Sequence, residues 1–233
     1  MYSLNELLYD RQRGSTLIFI DAIKLLLLKD SAASIKYYCK KLKDQFSAMG
    51  LFINLWISIR QKDNLEDIHL TLREVLKSLE SILNKNIEYA GKSLPNDTTI
   101  ITISHSSYIR KLIIHNKEKV NRVYCLESAP EFEGKELAKH LKETGIDASV
   151  LPDFNYQKQL KISTHVIVGS DLISKHFFIN KSGTKELLEM AGGQDKNIWI
   201  LGDELRFVSD YTPRNISDIF EVIPLRDEFR VFQ

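Results

Sequence analysis

The chain has 233 residues, enough for one large domain or two modest ones. Hydrophobic residues make up 43%, so a core can form without disulfide or metal staples, and 32 basic against 31 acidic residues leave no global field that would draw the protein to nucleic acid or to a membrane surface. Two cysteines, Cys39 and Cys125, exclude a disulfide framework and a Cys-based metal site and fit a reducing, cytoplasmic setting.

At the start of the chain Asn5, Glu6, Asp10 and Arg11 interrupt any apolar run, so no secretory leader is expected. The apolar stretch from Leu17 to Leu28 is broken by Asp21 and Lys24 and is too short and too charged to span a bilayer. Residues 1–92 read as a helical domain, because glycine is scarce and no alternating strand pattern is sustained. Ser15 is expected to cap a helix to about Lys29 whose circumference is almost wholly apolar, which marks it as buried. Asp30 or Ser31 caps the next helix, which ends near Gly50. Leu65, Ile68, Leu72, Val75, Leu76, Leu79, Ile82 and Leu83 fall at helical spacing and predict one long amphipathic helix to about Tyr89.

The run Gly91-Lys92-Ser93-Leu94-Pro95-Asn96-Asp97 breaks this rhythm. Residues 93–233 then alternate: strand over 98–104, helix over 108–116, strand over 122–126, helix over 134–144, strand over 149–151, helix over 154–161, strand over 165–169, helix over 184–191 and strand over 197–202. Such alternation predicts a Rossmann-like α/β domain, a parallel sheet with helices on both faces. The last segment, Ile219 to Gln233, is apolar for a chain end and is expected to dock on a partner or on the sheet.

The segment His165-Val166-Ile167-Val168-Gly169-Ser170-Asp171 is an apolar strand that ends in a small-residue turn carrying an acid. An α/β sheet presents a charged site in this way, at the carboxyl ends of its strands. Asp171 can accept a proton or bind a sugar hydroxyl; its structural alternative is a helix cap after a strand. Downstream, Asn180 and Lys181 can bind a phosphate or hold the Asp171 loop, and Gly183 and Thr184 can offer donors to an anion at a helix start. None of the six histidines (His69, His105, His115, His140, His165, His176) shows metal-ligand spacing, no Cys-x-x-Cys is present, and neither a Gly-x-Gly-x-x-Gly fingerprint nor a Walker lysine loop appears. No metal and no cofactor is therefore expected, and the lysines at 40, 41 and 43 read as a solvated helix face rather than a nucleic-acid site.

Three segments together carry a resemblance: Thr102-Ile103-Ser104-His105-Ser106-Ser107, then Glu127-Ser128-Ala129-Pro130-Glu131-Phe132-Glu133-Gly134, then Gly169-Ser170-Asp171-Leu172-Ile173 with Asn180-Lys181-Ser182-Gly183-Thr184. In order and spacing they resemble the signature of the family that joins the regulatory subunits of translation initiation factor 2B to the ribose 1,5-bisphosphate and methylthioribose 1-phosphate isomerases. The resemblance implies a helical N-terminal domain on a Rossmann-like domain, dimerisation through the latter, and one pocket fed by both. It makes Asp171 the counterpart of the isomerases' acid–base aspartate and assigns Arg13, Gly14, Glu127, Asn180, Lys181 and Arg206 to the binding of a phosphorylated sugar or nucleotide. It also admits translation initiation factor 2 as a partner.

Two positions depart from that pattern. Ser104 stands where the isomerases carry a cysteine that partners the aspartate. A thiol titrates near ~8.5 and shuttles protons close to neutral pH, whereas a serine hydroxyl needs a base beside it. On a strand His105 would face away from Ser104 and could not be that base. Ala129 replaces an arginine that the resemblance implies contacts phosphate, and alanine removes a bidentate ligand. The expected protein is thus a non-catalytic, regulatory-type member with a ligand pocket. The alternatives are an isomerase that uses Asp171 with Ser104 or another acid partner, and a paralogue whose pocket is enlarged at Ser104 and Ala129 for a new ligand.

Overall fold

The computed structural model describes every residue except Met1, Arg11, Gln12 and Asn215. Five helices come first: α1 (Leu4–Leu8), α2 (Ser15–Leu27), α3 (Ala32–Gln45), α4 (Gly50–Ile59) and α5 (Leu65–Ser93). Ser31, not Asp30, caps α3, its side chain accepting from the Ser34 N–H. Ser15 is the first residue of α2 rather than its cap; Gly14 holds that place without a side-chain bond. Gly50 does not end a helix but begins α4. A Cβ there would stand 2.3 Å from the Arg206 carbonyl oxygen, so only glycine lets this helix start press against residue 206. The Gly50 N–H also donates to the Asp171 carbonyl at 2.8 Å, which ties the helical region to the turn carrying that acid.

The long helix α5 belongs to two cores. Ile68, Leu72 and Leu79 pack with α2, α3 and α4, whereas Leu83, Ile87 and Ala90 pack with residues of the sheet and its flanking helices. One rigid element therefore fixes the angle between the two regions.

Beyond α5 the chain forms β1 (Thr98–Thr102), α6 (Ser107–His115), β2 (Val120–Leu126), α7 (Glu133–Glu143), β3 (Ala148–Leu151), α8 (Gln157–Ile162), β4 (His165–Gly169), β5 (Leu172–Ile173), β6 (Phe177–Lys181), α9 (Thr184–Gly192), β7 (Asn197–Leu201), β8 (Phe220–Pro224) and β9 (Phe229–Phe232). Six strands make a parallel sheet in the order β3-β2-β1-β4-β7-β9, the doubly wound order of a Rossmann-like domain. β1 and β4 are buried along their whole length, which suits strands covered on both faces. Alternate residues serve opposite layers: Ile100, Val123 and Ile167 face the core under α5, α6 and α7, and Ile101, Tyr124 and Val166 face the core under α8 and α9.

A second sheet, β5-β6-β8, is antiparallel and was not legible beforehand. The apolar tail docks within the chain: β8 joins this small sheet, and β9 adds the edge strand beside β7. Among the described residues no helix is long and apolar enough to cross a membrane.

Candidate functional site

In a doubly wound sheet the chain leaves β1 and β4 in opposite directions, which opens a crevice at their carboxyl ends. Here β1 and β4 register through Ile100 with His165 and Ile101 with Val166, so the pairing stops one residue before the end of β1 and three before the end of β4. The cleft that results encloses about 1050 Å³, its open mouth included. Its walls are the turn after β1 (Ser104 to Ser107), the turn after β4 (Gly169 to Asp171), the end of β6 (Asn180 and Lys181), the start of α2 (Arg13 to Thr16) and the α3–α4 connection (Gln45, Phe46, Met49). Glu133, Arg206, Ile219 and Phe220 line it as well.

Two helices begin at this cleft, α2 and α6. The first N–H groups of a helix lack intrahelical partners, and neither Gly14 nor Ser106 caps them with a side chain. The positive ends of both helices are thus available to an anion. The helix start singled out in the sequence, Gly183-Thr184, lies outside the cleft lining. Gly183 takes the left-handed conformation (φ 92°) that opens α9, and the Thr184 hydroxyl donates to the Lys181 carbonyl at 2.6 Å. The Asn180 side-chain amide in turn donates to the Thr184 hydroxyl at 3.1 Å.

Asp171 lines the cleft, half-buried, with its backbone held by the Ile179 carbonyl and the Gly50 N–H, both at 2.8 Å. Burial raises its pKa, a hydrogen bond from Ser15 and the Arg206 cation pull it back down, and Glu133 adds to the rise. Asp171 therefore keeps its proton to higher pH than an exposed aspartate does.

Ser104 does not sit on a strand. β1 ends at Thr102, and Ser104 adopts φ 70° in the left-handed region, unusual for a residue with a Cβ. The expectation that His105 faces away on a strand thus does not apply: both residues line the cleft, and the His105 ring lies 5.4 Å from that of His140, centroid to centroid. Burial holds His105 down at about 4. The group beside Ser104 is Glu133, whose carboxylate accepts from the Ser104 hydroxyl at 3.1 Å. Glu133 also pairs with Lys181 at 3.1 Å, and Lys181 makes a further, shorter ion pair with Glu131. Lys181 is 5% exposed and already neutralised by two carboxylates, so it is not a free phosphate ligand. Glu133 went unread as a site residue, although it lay inside the segment that carried the resemblance.

Arg13 and Arg206 are engaged as well. Arg13 pairs with Asp10 and with Asp21, the latter at 2.7 Å. Arg206 is 2% exposed; it pairs with Asp203, donates to the Thr16 hydroxyl at 2.8 Å and lies over the Tyr108 ring. Tyr108 also donates to Asp203. This network joins α2 to the 3-10 turn after β7, and the Ser107–Thr16 hydrogen bond at 3.1 Å adds α6. One nitrogen of each guanidinium, Arg13 Nη2 and Arg206 Nε, is buried without a protein partner. Asp203 was missed, although its place three residues before Arg206 is the spacing of a local pair.

Glu127 lies outside the cleft lining and pairs with Lys135 at 3.3 Å. Ala129 is exposed; Asp153 accepts from its N–H at 2.7 Å and from that of Ser128 at 2.8 Å, holding the turn in which an arginine is missing. Among the described residues no cluster of three or more His, Cys, Asp or Glu could hold a metal ion.

Residues 12–225 match the initiation factor 2 subunit family. The chain belongs to that family. Within the family it is 26% identical over 172 residues to a putative translation initiation factor eIF-2B subunit 2-like protein of Pyrococcus furiosus, an alignment covering 72% of this chain and 62% of that one. It is 26% identical over 158 residues to the ribose 1,5-bisphosphate isomerase of Archaeoglobus fulgidus, covering 66% of this chain and 49% of the enzyme. The chain thus spans less than two thirds of the first relative and about half of the second. The Pyrococcus horikoshii translation initiation factor eIF-2B structure superposes with a TM-score of 0.86 at 21% identity, over 98% of this chain and 92% of that one. A chain of the tetrameric eIF2B-beta2-delta2 complex from C. thermophilum follows at 0.72 and 15%, over 95% and 85%. At these identities the structural likeness concerns the family fold.

Proposed function

We propose that this initiation factor 2 subunit family member is a non-catalytic, regulatory-type protein whose cleft holds a phosphorylated sugar or nucleotide as a ligand and does not convert it. On this reading it works in the cytoplasm as a homodimer, with translation initiation factor 2 as its macromolecular partner. The observation that carries the reading is the absence of a usable thiol beside Asp171. Cys39 and Cys125 are buried in the two cores, and burial pushes each up to about 12. Where the resemblance puts the isomerases' cysteine stands Ser104, which lines the same cleft as Asp171 and whose hydroxyl donates to Glu133.

A second reading is favoured by one observation. Asp171 has a burial-raised pKa in a cleft that also holds the Ser104–Glu133 hydrogen bond, a pairing that suits an aldose–ketose isomerase with a carboxylate in place of the thiolate. The two readings separate in one experiment. Purified protein is incubated with ribose 1,5-bisphosphate and with methylthioribose 1-phosphate, while thermal shift reports binding. Ligand-dependent stabilisation without product supports the regulatory reading. Turnover that Asp171→Asn abolishes, with the fold retained, establishes the enzyme.

A further inference from the structure

We propose that the exposed face of α3 binds single-stranded RNA, with phosphates on its lysines and a base against Tyr37. None of the residues of this surface lines the cleft.

Charge is unevenly placed along the chain. The whole has 32 basic against 31 acidic residues, yet residues 29–63 hold seven basic against three acidic ones. On α3, Lys36 and Lys40 stand four residues apart, a spacing at which like charges repel. Helix α5 is the contrast within the same molecule. Its exposed Arg73, Glu74, Lys77 and Glu80 interleave both signs, and Glu88 pairs with Lys92 at 2.7 Å one turn on. A face that serves only to be wet gains from such mixing, and α3 forgoes it. Lys40 is exposed and makes no ion pair among the described residues. Lys36 pairs with Asp63 at 2.7 Å, but that carboxylate is 96% exposed, so water screens the pair and a phosphate can take its place.

Two tyrosines are set among these cations. The Lys29 ammonium lies 4.3 Å over the Tyr38 ring, Tyr38 meets Tyr37 edge-on at 5.8 Å between centroids, and the Lys41 ammonium lies 5.7 Å from the Tyr37 centroid. Tyr37 is still 58% exposed. Ile35, Cys39 and Leu42 turn inward and anchor α3 on the helical core, which leaves Tyr37 outside with Lys40 and Lys41 on the next turn. Read singly, the lysines are a solvated face; the connection from α2 adds Lys29 and closes the array around the two rings.

An exposed ring between ammonium groups suits a strand whose bases are unpaired. A base stacks on the ring while the flanking phosphates neutralise the lysines. A duplex hides the faces of its bases, and an acidic protein would use the lysines and leave the ring idle. Membership of an initiation factor family makes RNA the strand.

Fluorescence anisotropy on the full chain tests this with a labelled oligo(U) about twelve nucleotides long. Three lysine–phosphate contacts on a single strand give a log–log salt slope near about −2, so affinity is expected to fall about 20-fold from ~50 to ~200 mM salt. Tyr37→Ala is expected to weaken binding at least about fivefold and Tyr37→Phe to stay within about twofold, because stacking needs the ring and not the hydroxyl. Lys40→Glu combined with Lys41→Glu is expected to weaken binding more than about tenfold and to flatten the salt slope by about one unit or more. All these positions are exposed, so the variants are expected to keep the parent's melting temperature, which separates lost binding from lost folding. Absence of oligo(U) binding at the lower salt overturns the inference. Unchanged binding by Tyr37→Ala overturns it too, because the surface is then a general polyanion contact. So does tighter binding of duplex RNA, of the same bases as DNA, or of an oligoglutamate of equal length.

Discussion

Replacing Asp203 by alanine is expected to cost more stability than removal of any other single carboxylate in the cleft region. Asp203 has no exposed surface and accepts from the Tyr108 hydroxyl, the Arg206 guanidinium and, at 3.0 Å, the Arg206 N–H. Its removal strands a guanidinium that is itself 2% exposed, and an uncompensated buried charge of this kind costs about 3–5 kcal/mol. The Tyr108 hydroxyl loses its acceptor as well, which adds roughly 1–3 kcal/mol. In a chain of this length each kcal/mol moves Tm by about 2–4 °C, so a loss of about 4–8 kcal/mol is expected to lower the melting temperature by roughly 10–30 °C. Tyr108→Phe leaves Asp203 with its Arg206 donors and is expected to cost only about 1–2 kcal/mol. Because the two residues share a bond, the double variant is expected to cost less than the sum of the single ones. Urea unfolding of the four proteins at neutral pH measures this cycle. A loss below about 1 kcal/mol for Asp203→Ala would refute the reasoning, since that is the value of a pair screened by water.

Three further predictions rest on separate features. Gly50→Ala places a methyl 2.3 Å from the Arg206 carbonyl oxygen, and is expected to cost about 1–3 kcal/mol through the forced shift of α4, read by thermal melting. Asp171 has a folded-state pKa raised above its unfolded value, so its protonated form stabilises the fold and that contribution is lost as pH rises through the folded pKa. Asp171→Asn is therefore expected to be more stable than the parent at neutral pH and to lose that advantage below about pH 4, where both would be neutral; equal stabilities at both pH values would count against burial as the cause. His165, 3% exposed and held at about 4 by burial, behaves in the opposite sense: stability present above pH ~6.5 is lost as pH falls toward about 4, at about 1.4 kcal/mol per pH unit. His165→Gln is expected to flatten the acid limb of a pH–stability curve, and an unchanged limb would place the acid sensitivity elsewhere.

The elements that organise this fold are those with a strong period or a strong break. The spacing from Leu65 to Leu83 gives α5, and the alternation of apolar strands with helices after Gly91 gives a parallel sheet, whose strand order only the structure supplies. The second sheet was hidden for a physical reason. Phe177–Lys181 is buried from Phe178 onward and shows no alternation, and its partner β8 lies beyond α9 and β7 in the chain. Helix α4 was hidden because Gly-Leu-Phe-Ile-Asn-Leu-Trp-Ile-Ser-Ile is apolar almost all round and opens with the glycine that ordinarily ends a helix. At the site, Asp171, Ser104, Asn180, Lys181, Arg13, Gly14 and Arg206 all reach one cleft. Their pairing was beyond the sequence: that Glu133 holds both Ser104 and Lys181, or that Asp203 holds Arg206, follows from where α7 and the turn after β7 come to rest. Glu127 shows the converse, a residue at the end of a strand whose side chain turns to Lys135 and away from the cleft.

The most direct test of the account is a phosphorus NMR time course of ribose 1,5-bisphosphate with stoichiometric protein over several hours. The account predicts an unchanged spectrum in a sample whose integrity is shown by stabilisation with AMP or methylthioribose 1-phosphate. Appearance of the ketose bisphosphate, absent with Asp171→Asn, would contradict it and make the Ser104–Glu133 pair the partner of a working acid.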